Sequence, residues 1–218
     1  MQPLLVRTFE GLTLQSELGS LLIDFVNDRA NYERPLKKGK SEIIARALGI
    51  NKGLTDILDL TAGLAQDAAV FARLGCRVRA VERSPLIFPL LEDARLRALT
   101  KKEWVKNLEF IFSDSFSFLQ KLKVSELPQV IYIDPMFPEK KKTALPRKEM
   151  QIFRELIGED QDSSQLVALA QEKALDRVVV KRPLKAPDLA PGVTHRFEGN
   201  SVRYDLYLSK RAEKERCP

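Results

Sequence analysis

The sequence predicts an α/β fold, a mostly parallel sheet flanked by helices, with an antiparallel hairpin at one end and a small N-terminal extension. Three observations carry this prediction. From residue 54 onward, short apolar or alternating runs that suit strands take turns with amphipathic runs that suit helices. Several of the strand-like runs end in an acidic residue beside small or turn-forming residues. Near the end, "THRFEGNSVRYDLYLSK" (194–210) has the alternation of two strands around a Gly199-Asn200 turn.

Taken in order, "LTDILDL" (54–60) reads as a short buried strand, and "LAQDAAVFARLG" (64–75) as a helix with Leu64, Ala68, Phe71 and Ala72 on one face and Gly75 closing it. "CRVRAVE" (76–82) alternates as a strand does, and "PLIFPLLEDARLRAL" (85–99) opens a helix with Pro85 near its first turn. "LEFIFSD" (108–114), "SFSFLQKLK" (115–123) and "QVIYID" (129–134) continue the strand, helix, strand rhythm. Helical segments follow within 146–157 and 163–175, then the strand "DRVVVKRP" (176–183). Such alternation implies right-handed crossovers and helices on both faces of the sheet. Residues 1–50 break the rhythm with an apolar stretch (19–28), a basic run from Arg34 to Lys40 and a helix from Ser41 to Leu48. They are expected to form an extension packed on a core of residues 51–210, with 211–218 a frayed tail.

Composition narrows the class. At 218 residues, 44% hydrophobic and 30% charged, the chain suits one soluble domain with a substantial core. It contains no apolar run near the ~20 residues that span a bilayer, and no signal-peptide pattern opens it. Two distant cysteines, Cys76 and Cys217, argue against a disulfide framework or a zinc site, so a reducing cytoplasm is the default. A net charge of +6 is compatible with a nucleic-acid partner without requiring one.

In open α/β sheets, ligands bind at the carboxyl ends of the strands, so the residues ending each strand belong together. The first strand runs into "DLTAGLAQD", from Asp59 to Asp67, where Thr61, Ala62 and Gly63 permit close backbone approach. With Gly63 alone this is no G-x-G-x-x-G cradle, and the acids at both ends disfavour a pyrophosphate and hence a nicotinamide enzyme. They suit a ligand with a positive centre; Asp67 equally suits a helix N-terminus. Glu82, about 20 residues past Gly63, is placed either for ribose hydroxyls or to cap the next helix. Asp114 and Ser115 suit either an adenine edge or a cap. Together the three acidic strand ends resemble the S-adenosylmethionine site of Rossmann-like methyltransferases, over roughly residues 54–210.

The fourth strand ends in "DPMF", Asp134 to Phe137, similar to the [D/N/S]-P-P-[Y/F/W] motif of methyltransferases that act on amino groups of bases, with Met136 in place of the second proline. A base amine has its lone pair drawn into the ring, so acceptors at Asp134 and the Pro135 carbonyl would orient it, and Phe137 would stack on the base. These three residues are the candidate catalytic set; Phe137 as a core plug is the alternative.

"LDLTAGLAQDAAVFARLGCRVRAVERSP", "VIYIDPMFPEKKKTALPRKEM" and "RVVVKRP" together resemble the RsmJ family of small-subunit ribosomal RNA guanine-N2 methyltransferases, and "KKGKSEIIARALGI" extends the resemblance toward the N-terminus. Gln66 stands where that family would place an arginine. The resemblance implies a Rossmann-like fold, S-adenosylmethionine as cofactor, and 16S ribosomal RNA or the small subunit as partner, with neither metal nor membrane. Asp59, Ala62, Gly63, Gln66, Asp67, Glu82, Arg83, Asp114, Ser115 and Asp134 would line the cofactor pocket. Lys140, Lys141, Lys142, Arg147 and Lys148 follow the motif and are placed to hold phosphates, though a solvated lysine face is common. Lys181 and Arg182 end the fifth strand and are expected to face the crevice, each suiting a phosphate or a nearby acid. An adenine amino methyltransferase and a non-catalytic RNA-binding protein are the rival readings.

Overall fold

Seven strands form the main sheet of the computed structural model, which describes residues 3–27, 40–135, 151–152 and 163–216. A separate antiparallel sheet of three strands, β1 (Leu4–Arg7), β2 (Leu12–Ser16) and β3 (Gly19–Leu21), precedes it. The main sheet comprises β4 (Asp56–Asp59), β5 (Arg77–Glu82), β6 (Leu108–Phe112), β7 (Val130–Ile133), β8 (Arg177–Pro183), β9 (His195–Glu198) and β10 (Val202–Leu208), in the order β6-β5-β4-β7-β8-β10-β9. The pairs from β6 to β8 are all parallel, and β10 pairs antiparallel with both β8 and β9. The strand order reverses between β4 and β7, so a crevice opens beyond their carboxyl ends, where Asp59 and Asp134 lie.

Helices α1 (Lys40–Leu48), α2 (Gln66–Arg73) and α3 (Ile87–Ala98) share one hydrophobic layer with the sheet, and α4 (Ser115–Lys121) and α5 (Ser163–Lys173) share the other. Alternation divides β7 between them: Val130 and Tyr132 enter the first layer, Ile131 and Ile133 the second. Such a strand, buried on both faces, reads as a continuous apolar run. In α2 the buried side chains are Ala68, Ala69, Phe71 and Ala72, and the Phe71 ring meets Tyr132 edge-on at 4.8 Å. Truncating Phe71 to alanine would cost about 3–5 kcal/mol and would also loosen the tyrosine that reaches the site. Cys76 lies wholly buried in the first layer.

The expected N-terminal extension takes the form of a β-meander, whose strands of 4, 5 and 3 residues are too short to display a period. It is latched to α3: the Leu12 amide donates to Asp93 Oδ2 at 2.9 Å, Arg7 pairs with Asp93, and Arg97 donates to Asp93, Asp24 and the Ile23 carbonyl. Gly11 is required there, since it has φ +143° and a Cβ would lie 2.6 Å from Arg97 Nε. At the other end, the expected frayed tail is helix α6 (Lys210–Arg216), capped by Ser209 Oγ and anchored by buried Ala212. The expected helix within 146–157 falls outside the described residues except for Gln151 and Ile152, which are helical, and the basic run before Lys40 falls outside them too.

Candidate active site

The turn after β4 is shaped by two left-handed residues, Gly63 (φ 53°) and Ala65 (φ 57°), and Ala65 is the one non-glycine of positive φ among the described residues. A left-handed alanine costs roughly 1–2 kcal/mol, so packing must hold it, and Ala65 is completely buried. The turn is tied down by the Ala62 amide donating to Val81 O at 3.0 Å and the Ala65 amide to Ala62 O at 2.7 Å. Its effect is to present the Gly63 amide to Glu82 Oε2 at 2.9 Å, while Ser84 N donates to Glu82 Oε1 at 2.7 Å. Glu82 is therefore fixed at the end of β5. Burial raises its pKa, against the Ser84, Gly63 and Arg83 amides that lower it. It does not cap α3; Ser84 Oγ does, accepting from Leu86 N and Ile87 N.

A second group gathers where β4, β7 and β8 end. Asp59 is buried, and its Oδ1 accepts from the Thr61 amide at 2.8 Å and the Thr61 hydroxyl at 3.2 Å. The Asp134 amide donates in turn to Thr61 Oγ1 at 2.7 Å. Lys181 Nζ donates to Asp67 Oδ2 at 2.7 Å and to Asp134 Oδ2 at 2.8 Å, and the Tyr132 hydroxyl donates to Asp67 Oδ2 at 2.6 Å. Desolvation, helped by Asp67 and Asp134, pushes the Asp59 carboxyl up to about 7, against the bonds from Thr61. Desolvation also raises Asp134, opposed by the ammonium of Lys181. Burial alone would lower Lys181, but Asp67 and Asp134 outweigh it and hold it well above the usual lysine range.

Several sequence expectations meet in this crevice: Asp59, Ala62, Gly63, Asp67, Glu82, Asp134, the buried Pro135 and Lys181. Gln66 and Arg83 lie exposed at its edge. Asp114 is exposed and caps α4 through Ser117 N at 2.9 Å, and Ser115 Oγ donates to the Leu60 carbonyl at 2.5 Å. Arg182 is a correction. Alternation along β8 turns it away from Lys181, and it is 4% exposed with its guanidinium on the Pro187 carbonyl at 2.6 Å, so it braces a loop rather than facing the crevice. Phe137, Lys140, Lys141, Lys142, Arg147 and Lys148 lie outside the described residues. The bridging part played by Thr61 and the reach of Tyr132 were not anticipated; a hydroxyl two residues after a strand-ending aspartate is the signal that could have found the first.

Among the described residues, no three His, Cys, Asp or Glu side chains are grouped to hold a metal. The donor set fits S-adenosylmethionine: carboxylates at four positions suit a cationic sulfonium and an ammonium, and Glu82 suits a diol. A parallel sheet with this pocket at its switch point and Asp-Pro ending β7 defines a Rossmann-like methyltransferase. A family profile described as "Putative SAM-dependent methyltransferase" matches residues 2–209, so S-adenosylmethionine is the cofactor. The chain is 46% identical over 200 residues to ribosomal RNA small subunit methyltransferase J of Bdellovibrio bacteriovorus, covering 91% of this chain and 79% of that one. It is 44% identical over 207 residues to the protein of that name from Dechloromonas aromatica, covering 91% and 84%. The crystal structure of the SAM-dependent methyltransferase NGO1261 from Neisseria gonorrhoeae superposes with a TM-score of 0.77 at 32% identity, over 97% of this chain and 85% of that one. The chain belongs to the ribosomal RNA small subunit methyltransferase J family.

Proposed function

We propose that the protein transfers a methyl group to the exocyclic N2 amine of a guanine in 16S ribosomal RNA. The observation that carries the proposal is the state of Asp134, a 35% exposed carboxylate at the end of β7, fixed through its amide by Thr61 and through Oδ2 by Lys181, and followed directly by Pro135. When bound, S-adenosylmethionine supplies an electrophilic methyl group on a sulfonium. The chain's own residues orient the acceptor. Asp134 Oδ1 and the Pro135 carbonyl accept N–H bonds from the base amine and turn its lone pair toward the cofactor pocket, and Phe137 offers a stacking face. Asp59, Ala62, Gly63, Gln66, Asp67, Glu82, Arg83, Asp114 and Ser115 are assigned to that pocket, and Glu82 to the ribose. Lys140, Lys141, Lys142, Arg147 and Lys148 hold phosphates while the base is drawn in.

The relatives' names support RNA of the small subunit as substrate, and with it a cytoplasmic setting. No helix among the described residues is long and apolar enough to cross a membrane. An amine-binding turn does not by itself choose guanine over adenine, so the test must read the product. Nucleosides of 16S ribosomal RNA from cells lacking the gene are mapped by mass spectrometry, before and after supplying wild type or Asp134→Ala. One N2-methylguanosine should be missing, restored by wild type and not by the variant. Unchanged N2-methylguanosine with a deficit of methyladenosine would overturn the assignment.

A further inference from the structure

Strand β8 enters the crevice at Lys181, whose cross-strand partner on β10 is Tyr204. An ammonium has three donors, and two are taken by Asp67 and Asp134. Among the described residues, the charged and titratable groups around Asp134 are Asp59 from β4, Asp67 from α2, Tyr132 from β7, Tyr204 from β10 and Lys181 itself. Two carboxylates thus share one ammonium, with a third, Asp59, close enough to both to raise its own pKa. A phosphate brought to that lysine would meet net negative charge, so its place favours a role toward the acids. Of Asp134's two oxygens, Oδ2 is filled by Lys181, whereas Oδ1 accepts no hydrogen bond among the described residues.

We propose that Lys181 is a positioning residue for methyl transfer, which occupies one oxygen of Asp134, reserves the other for the substrate amine, and keeps that carboxylate an acceptor beside two other acids. The inference deepens the amine-binding reading and rests on it. Without the ammonium, like-charge repulsion from Asp67 and Asp59 favours the protonated form of Asp134. A protonated carboxyl has an O–H where the amine requires an acceptor, and without Lys181 no hydrogen bond among the described residues holds its rotation. Burial and the neighbouring acids already press the Asp134 carboxyl upward, and Lys181 is the opposing influence.

The test is single-turnover methylation of 16S ribosomal RNA from cells lacking the gene, by wild type, Lys181→Met and Lys181→Arg, from roughly pH 6 to 9. Lys181→Met should lower the transfer rate at neutral pH about 100-fold, as loss of orientation does, with little change in RNA affinity. Its ascending limb should move to higher pH by about one unit or more, so that activity partly returns in alkali. Lys181→Arg, which keeps the charge, should recover most of the rate. Calorimetric binding of S-adenosylmethionine certifies a folded variant; if Lys181→Met does not fold, Lys181→Gln replaces it and must show the same displaced limb. A variant profile parallel to wild type would leave Lys181 a structural residue and overturn the proposal. So would an unchanged rate with weakened RNA binding and a flattened salt dependence, which is the mark of a phosphate contact. A displaced limb with the methyl group on adenine would sink the guanine assignment and leave that of Lys181 standing; N2 methylation with parallel profiles would do the reverse.

Discussion

Replacing Asp59 with asparagine should stabilise the ligand-free protein, and increasingly so as pH rises. Asp59 is 1% exposed, and burial, with Asp67 and Asp134 nearby, holds its carboxyl at about 7 rather than the usual 3.8. In the unfolded chain the group ionises first, so through this window the folded state binds more protons and stability falls with rising pH. The contribution is fully present below 3.8 and gone above about 7, which amounts to up to about 4 kcal/mol. Asparagine keeps the acceptor that Thr61 uses twice and never ionises. Urea unfolding of both proteins across a pH series would show a difference near zero at about pH 4, growing to a few kcal/mol by about pH 8. A difference that stays flat across the series would refute the reasoning. Affinity for a cationic cofactor should move the other way, because the pocket has one anion fewer.

Glu82→Ala removes the acceptor of the Gly63 and Ser84 amides as well as the proposed ribose contact. S-adenosylmethionine binding by calorimetry should weaken by ~1–3 kcal/mol, and unchanged affinity in a folded variant would take Glu82 out of the site. Alanine at Lys140, Lys141 and Lys142 together should flatten the salt dependence of RNA binding, by roughly 0.7–0.9 in logarithmic slope for each phosphate no longer neutralised; equal slopes would make the run ordinary solvated surface. Arg203→Met should destabilise by up to about 3–5 kcal/mol, because fully buried Asp205 loses both hydrogen bonds from Arg203 and keeps only Arg196 at 3.5 Å, and the Leu184 and Ala186 carbonyls lose their donor. A drop in urea midpoint equivalent to under about 1 kcal/mol would mean that this cluster behaves as a surface pair.

The sheet was legible because its strands obey simple rules: Val130 to Ile133 had to be apolar throughout to be buried on both faces, and β5 opens on an alternation, Arg77 to Ala80, before its buried end. The acids of the crevice were legible because chain direction alone carries Asp59, Glu82 and Asp134 to the same edge of a parallel sheet. What escaped was whatever depends on register. Lys181 and Arg182 are adjacent lysine and arginine at one strand end, and only the pairing of β8 with β7 and β10 decides which faces the crevice. Tyr132 is hidden in an apolar run, and its hydroxyl matters only once α2 brings Asp67 within 2.6 Å. Helix α6 has too few apolar residues to announce itself, and Ala212 becomes an anchor only after β10 is in place.

The latch between the N-terminal meander and α3 has a consequence in time. Leu12 and Asp93 are 81 positions apart, so at ~5–20 residues per second a nascent chain makes the first about 4–16 s before the second. Leu14 and Leu21, both buried in the finished protein, leave the ribosome without the surface that will cover them. The Thr8–Gly11 turn is local and can close at once, with the Thr8 amide on the Gly11 carbonyl at 3.0 Å. The meander as a whole must wait for Asp93 and Arg97. The strands of the meander are thus made before the helix that locks them, and in that interval their edges are open to pairing with other chains.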